Sequence, residues 1–151
     1  MELVLQGGHY TRLYMSIPVG AVRLSDGEEE MKYMLLVHHD EESFRKRPEA
    51  ERKAMLEESV QLAQRLHDSG SYIAAAPLHP SSETICVRVR EGKPLITDGP
   101  FAETREQLGG YFLIHARDIL EATAIASRIP GARIGTVEIR PVTEVEGLPE
   151  G

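Results

Sequence analysis

The chain repeats its apolar positions with two different periods, and the switches between them lay out its elements. From Lys32 to His39 the period is two, with Tyr33, Leu35 and Val37 on one side of an extended chain and Met34, Leu36 and His38 on the other. Both sides are largely apolar, so this strand predicts burial from two directions. After Pro48 the period lengthens. Leu56, Val60, Ala63 and His67 form one row flanked by Met55, Leu62 and Leu66, while Glu49, Glu51, Arg52, Lys53, Glu57 and Glu58 supply a wet side. This predicts an amphipathic helix of about twenty residues between Pro48 and a stop at Gly70.

Period two then returns. Ser71–Leu78 reads as a short, irregular strand, and Glu83–Glu91 as a regular one, with Ile85, Val87 and Val89 alternating with Thr84, Cys86, Arg88 and Arg90. Glu91-Gly92-Lys93 turns the chain and Pro94–Thr97 returns. In Gly109–Ala116, Tyr111, Leu113 and His115 oppose Phe112, Ile114 and Ala116. Asp118 followed by Glu121 predicts a capped second helix, with Leu120, Ala124, Ile125 and Ile129 as its stripe and Pro130-Gly131 as its stop. Gly135–Val142 is a last strand, and Pro141 implies that it lies at an edge or runs off one.

The order predicts an α+β fold: a ferredoxin-like βαββαβ arrangement with an extra hairpin strand and both helices on one face of an antiparallel sheet. The other face then carries Met34, Leu36, Cys86 and Leu113, an apolar patch that a monomer rarely keeps exposed. The expected resolution is a homodimer whose sheets pack face to face, with His38, Arg88, Tyr111 and His115 lining a cavity.

Ile96–Phe112 gathers much of the turn chemistry. Asp98-Gly99-Pro100 is a tight turn, Phe101 is expected to plug into the core, Thr104 and Gln107 to cap one short helical turn, and Gly109-Gly110 to admit a close backbone. Such a corner holds Asp98, Glu103, Arg105 and Glu106 in place, so it can be the rim of a pocket as well as a structural turn.

Composition narrows the function. With 151 residues and 41% hydrophobic content the chain suits one domain with one core. A net charge of −7 argues against nucleic-acid or anionic-membrane partners, which need a basic face. No apolar run approaches the roughly 18 residues of a membrane span. The single cysteine, Cys86, forbids an intramolecular disulfide, reads as a buried strand residue and fits a reducing, cytoplasmic compartment. The first thirty residues lack a signal-peptide pattern and end in Gly27-Glu28-Glu29-Glu30 before Met31. Purine-rich codons for that tetrapeptide resemble a bacterial ribosome-binding site, so Met31 is expected as the natural start and residues 1–30 as translated upstream sequence; the alternative is a genuine N-terminal arm. Residues 146–151 read as a flexible tail.

Candidate chemistry sits at strand ends. His38 can relay a proton, and Asp40 can orient it; strand alternation aims only one of His38 and His39 at a cavity, and His38 shares its face with Met34 and Leu36. Asp98 is either a base, a fixed acceptor or a turn former. Arg88 is either a clamp for an acidic ligand or an interface charge, and Tyr111, His115 and Glu106 complete the ligand-binding candidates. No metal or cofactor is expected, since no cluster has ligand spacing and Gly109-Gly110 lacks a phosphate-loop context.

The stretch TDGPFAETREQLGGYFLI, with MKYMLLV at Met31–Val37, TICVRVREGKPLITDGP at Thr84–Pro100 and IPGARIGTVEIRPV at Ile129–Val142, resembles the DGPF group of YCII-related domain proteins across residues 31–145. The resemblance implies a ferredoxin-like fold that pairs into a dimeric α/β barrel. It also implies small-molecule binding, with acid–base chemistry by a His–Asp pair in some relatives, or a sensor or partner-binding role in a sigma-factor-linked bacterial operon. Asp40 in VHHD matches the relatives' aspartate. Their histidine follows an Arg-Pro; here Arg47-Pro48 leads only to Glu49 and Glu51.

Overall fold

A computed structural model describes residues 3–6, 9–12 and 30–149. Strands β1 (Leu3–Gln6) and β2 (His9–Arg12) pair antiparallel as a separate hairpin. The proposed origin of residues 1–30 otherwise falls outside the described residues. The main body runs β3 (Met31–His39), α1 (Glu41–Arg45), α2 (Glu49–Asp68), β4 (Tyr72–Pro77), β5 (Ile85–Arg90), β6 (Lys93–Asp98), β7 (Gln107–Ala116), α3 (Ile119–Ala126) and β8 (Gly135–Pro141). Single 3₁₀ turns occupy Ser81–Glu83 and Pro130–Arg133.

Four strands form an antiparallel sheet in the order β4-β7-β3-β8, compatible with a ferredoxin-like fold. The two-sided apolar strand, β3, is central, and β8 with its Pro141 is an edge. One sheet face meets the helices. Leu35, Leu62 and Ile114 are fully buried there, joined by Tyr33, Phe112, Leu66, Ala122, Ile125 and Ile129. Among the described residues no helix covers the opposite face, where Met34 pairs across from Leu113 and Leu36 from Tyr111, all half-buried.

Local chemistry sets the boundaries. Pro48 opens α2, and Gly70 ends it with φ +80°, a conformation that favours glycine. Asp118 caps α3 by accepting from the Glu121 backbone N–H at 2.8 Å; Glu121 reaches back to the Arg117 N–H at 2.7 Å, one residue beyond the usual partner. Glu91 and Gly92 both take positive φ, as a two-residue hairpin turn requires.

Several expectations are corrected. The hairpin of β5 and β6 adds no strand to the main sheet; among the described residues it pairs only with itself, as an arm. Cys86 is therefore part-exposed on that arm, its thiol donating to the Gly99 carbonyl at 3.2 Å, and not buried in the sheet. Phe101 is 80% exposed, so it fills no core position within the chain. Helix α2 is rolled to bury Leu62 and Leu66 and leaves Leu56 and Val60 half exposed; Glu58, between those faces, meets Arg133 in a two-pronged contact at 2.7 and 2.8 Å. In α3 the buried positions are Ala122, Ile125 and Ala126, with Leu120 at 40% exposure. Thr104–Gln107 makes no helical turn, because side-chain bonds hold it in a bend: Thr104 Oγ1 donates to the Glu106 carbonyl at 2.6 Å, and the Gln107 amide to the Thr104 carbonyl. A five-residue helix, α1, was not apparent in the periodicity.

Candidate functional site

At one end of the sheet lies a cavity of about 730 Å³ that opens broadly to solvent. Its walls come from four places: the end of β3 (His38), the entry to α1 (Asp40, Ser43), the Thr104-Arg105-Glu106 bend, and the start of β8 (Ile134, Thr136, Glu138).

The end of β3 separates its two histidines. A register shift lies between Val37 and His38, after which His38 faces Thr136 on β8 and Leu108 on β7. His38 lines the cavity, and its Nε2 is buried without a hydrogen-bond partner. His39 turns the other way, its ring 4.8 Å from that of Phe44 and lying over Gly109. A Cβ at Gly109 would fall 2.2 Å from the His39 ring, so the glycine makes room for it. Burial pushes the His39 imidazole below its ordinary value, against smaller opposing pulls from Glu41, Glu106 and Asp40.

Asp40 is engaged where it stands. Its Oδ1 accepts from the Ser43 backbone N–H at 2.9 Å, capping α1. That bond, with smaller contributions from the Glu42 N–H, the Ser43 hydroxyl and Arg105, holds its carboxyl below the usual range. Asp40 is thus a fixed anion and a poor proton acceptor. Neighbouring bonds tie the wall together. The Glu41 N–H donates to Gln107 Oε1 at 3.1 Å, and the Glu41 carboxylate accepts from the Ser81 N–H and hydroxyl at 2.8 and 2.6 Å. At the floor, Gly135 comes so close to β3 that a Cβ there would lie 2.0 Å from the His38 carbonyl oxygen.

The lining combines one imidazole, one guanidinium, three carboxylates and three hydroxyls. Such a set can hold a small polar molecule through hydrogen bonds and charge. No group of three or more His, Cys, Asp or Glu among the described residues could hold a metal ion.

Of the residues anticipated from sequence, His38, Asp40 and Glu106 meet in this cavity, with Arg105 of the same corner beside them. Asp98 and Arg88 do not join them: both are exposed on the arm, where Asp98 pairs with Ile85 and Arg88 with Leu95. Tyr111 and His115 lie on the helix-free sheet face, outside the cavity lining, and His115 Nδ1 is also buried and unpartnered. Sequence reasoning missed Ser43, Thr104, Thr136 and Glu138. For the last two a signal existed, since they alternate with Val137 and Ile139 along β8.

The sequence profile of the YCII-related domain matches residues 31–146. The chain belongs to the YCII-related family. A relative within reach of sequence comparison is an uncharacterised protein, R00369, of Rhizobium meliloti (strain 1021). It is 29% identical over 114 residues, which span 74% of this chain and 92% of that protein. The family region contains every residue of the cavity and excludes β1 and β2. No helix among the described residues is long and apolar enough to cross a membrane.

Proposed function

We propose that this YCII-related protein belongs to the DGPF group and acts in the bacterial cytoplasm as a homodimer, binding a small organic molecule in the cavity around His38. Two protomers pair through their helix-free sheet faces into a dimeric α/β barrel. The observation that carries the binding reading is the convergence of His38, Arg105, three carboxylates and three hydroxyls on one cleft. The buried, unpartnered Nε2 of His38 adds a group whose burial is costly while it stays unbonded. His38 is the acid–base group, Arg105 the counter-charge for an anionic substituent, and Asp40 and Glu106 the fixed acceptors for ligand hydroxyls. Tyr111 and His115 belong to the dimer face, and Arg88 and Asp98 to the arm.

The alternative, a non-catalytic sensor, gains from Asp40. A carboxylate committed to a helix cap binds and orients better than it abstracts protons. A thermal-shift screen with phenols, lactones and hydroxy acids tests binding, with turnover of every hit then followed. A ligand at a hundredfold its dissociation constant stabilises the fold by about 2.7 kcal/mol. The reading expects shifts that disappear in His38→Ala and persist in Asp98→Ala; the reverse pattern would move the site to the arm. Turnover abolished by His38→Ala identifies an enzyme, and binding without turnover identifies a sensor.

A further inference from the structure

The arm has two unlike faces. Cross-strand pairing puts Ile85, Val87, Val89, Pro94 and Ile96, with Asp98 at the root end, on one side, and Cys86, Arg88, Arg90, Lys93, Leu95 and Thr97 on the other. On the apolar side Ile85, Val87, Val89 and Ile96 are 59–66% exposed, and Phe101 at the arm's root is 80% exposed. A two-stranded hairpin is marginal in water on its own, so an arm with this composition needs a cover.

We infer that the apolar face of the arm is covered by a second copy of this chain, each arm clasping the opposite protomer. The inference rests on the homodimer reading but uses a different surface from the sheet face. The area involved favours a second copy.

Burying a Val, Ile or Phe side chain completely removes roughly 60–120 Å² of apolar surface from water. At the exposures observed, one arm offers roughly 300 Å², so two arms and the matching surfaces beneath them bury roughly 1,200 Å². That reaches the lower bound for a specific interface before any sheet contact is counted. The clasp also has a route to the cavity. The arm's root, Gly99–Glu103, runs directly into Thr104, Arg105 and Glu106, so an anchored arm fixes one cavity wall.

The test is sedimentation velocity of the full-length chain over a wide concentration range. Two arm variants are compared with the wild type: Val87→Thr/Ile96→Thr, which keeps strand-forming residues in the ladder, and Phe101→Ser, which lies outside it. A sheet-face variant, Met34→Lys/Leu36→Lys, is run beside them, and far-UV circular dichroism checks folding. The expected result is a dimeric wild type and, in both arm variants, dimerisation weakened by about tenfold to a hundredfold with unchanged dichroism. Arm variants that dimerise like wild type while the sheet variant is monomeric overturn the clasp and leave the sheet reading standing. Weakened arm variants beside an unaffected sheet variant support the clasp and remove the sheet contact. A wild type monomeric at every concentration overturns both.

Discussion

Leu35 and Leu36 are neighbours on the central strand, identical in chemistry and opposite in direction. Leu35 is fully buried against Leu62, Ile114 and Phe112, whereas Leu36 is half-buried on the face without helices. Truncating Leu35 to alanine removes a side chain with no exposed surface and leaves a cavity between sheet and helices, a change that costs about 2.7–5 kcal/mol. Truncating Leu36 in a lone chain costs less, about 1–2 kcal/mol, because part of its surface still meets water. In a dimer built on that face the Leu36 cost becomes dependent on concentration. Each tenfold dilution of a two-state dimer removes about 1.4 kcal/mol of apparent stability, and the Leu36→Ala chain reaches its monomeric limit earlier in the series. Urea denaturation followed by far-UV circular dichroism, at protein concentrations spanning two decades, reads both effects. A Leu35→Ala cost below about 1 kcal/mol would refute the inward assignment of that face. Equal costs for the two variants at the lowest concentration would refute the two-sided reading of the strand.

Other outcomes follow from the same geometry. Gly135→Ala sets a methyl against the β3 backbone, so thermal melts should show a strong loss of stability, larger than for Gly92→Ala at the open arm turn. The His39 imidazole titrates lower when folded than when unfolded, so its contribution is fully present above the unfolded value of about 6.5 and is lost as pH falls through the folded one. Urea midpoints at pH 7.5 and 5.5 should therefore differ less in His39→Gln than in the wild type. The Asp40 and Glu58 carboxyls are held low by hydrogen bonds, chiefly from the Ser43 N–H and Arg133, so their contributions are present at neutral pH and lost only under acid. Asp40→Asn should accordingly flatten the acid limb of the stability profile and leave the neutral region little changed.

Much of the main sheet was legible because its strands declare themselves by period two. Lys32–His39, Gly109–Ala116 and Gly135–Val142 emerged close to β3, β7 and β8, and Asp118 marked the start of α3. What was not legible depends on distance. Helix α2 has an apolar stripe wide enough to seat in more than one roll, and Arg133, remote in sequence, meets Glu58 at the edge of the seat that is used. The alternation of Val87 and Val89 with Arg88 and Arg90 is the same for a sheet strand and for an arm; only the absence of a pairing partner tells them apart. Phe101 looked like a core plug because an apolar ring beside a tight turn usually is one, but the turn points it away from this chain's core. In the site, His38 lines the cavity and His39 lies against Phe44. Asp98 was favoured for its turn, and a turn fixes a side chain without saying toward what.

The most direct test of the central claim is to map where a stabilising phenol, lactone or hydroxy acid binds, using backbone amide shifts of isotope-labelled protein. The account predicts perturbations concentrated at His38, Thr104–Glu106 and Ile134–Glu138, with the His38 ring signals moving at the same ligand concentration. Perturbations confined to Asp98 and the arm, or a set of compounds that leaves the His38 cavity untouched, would contradict it.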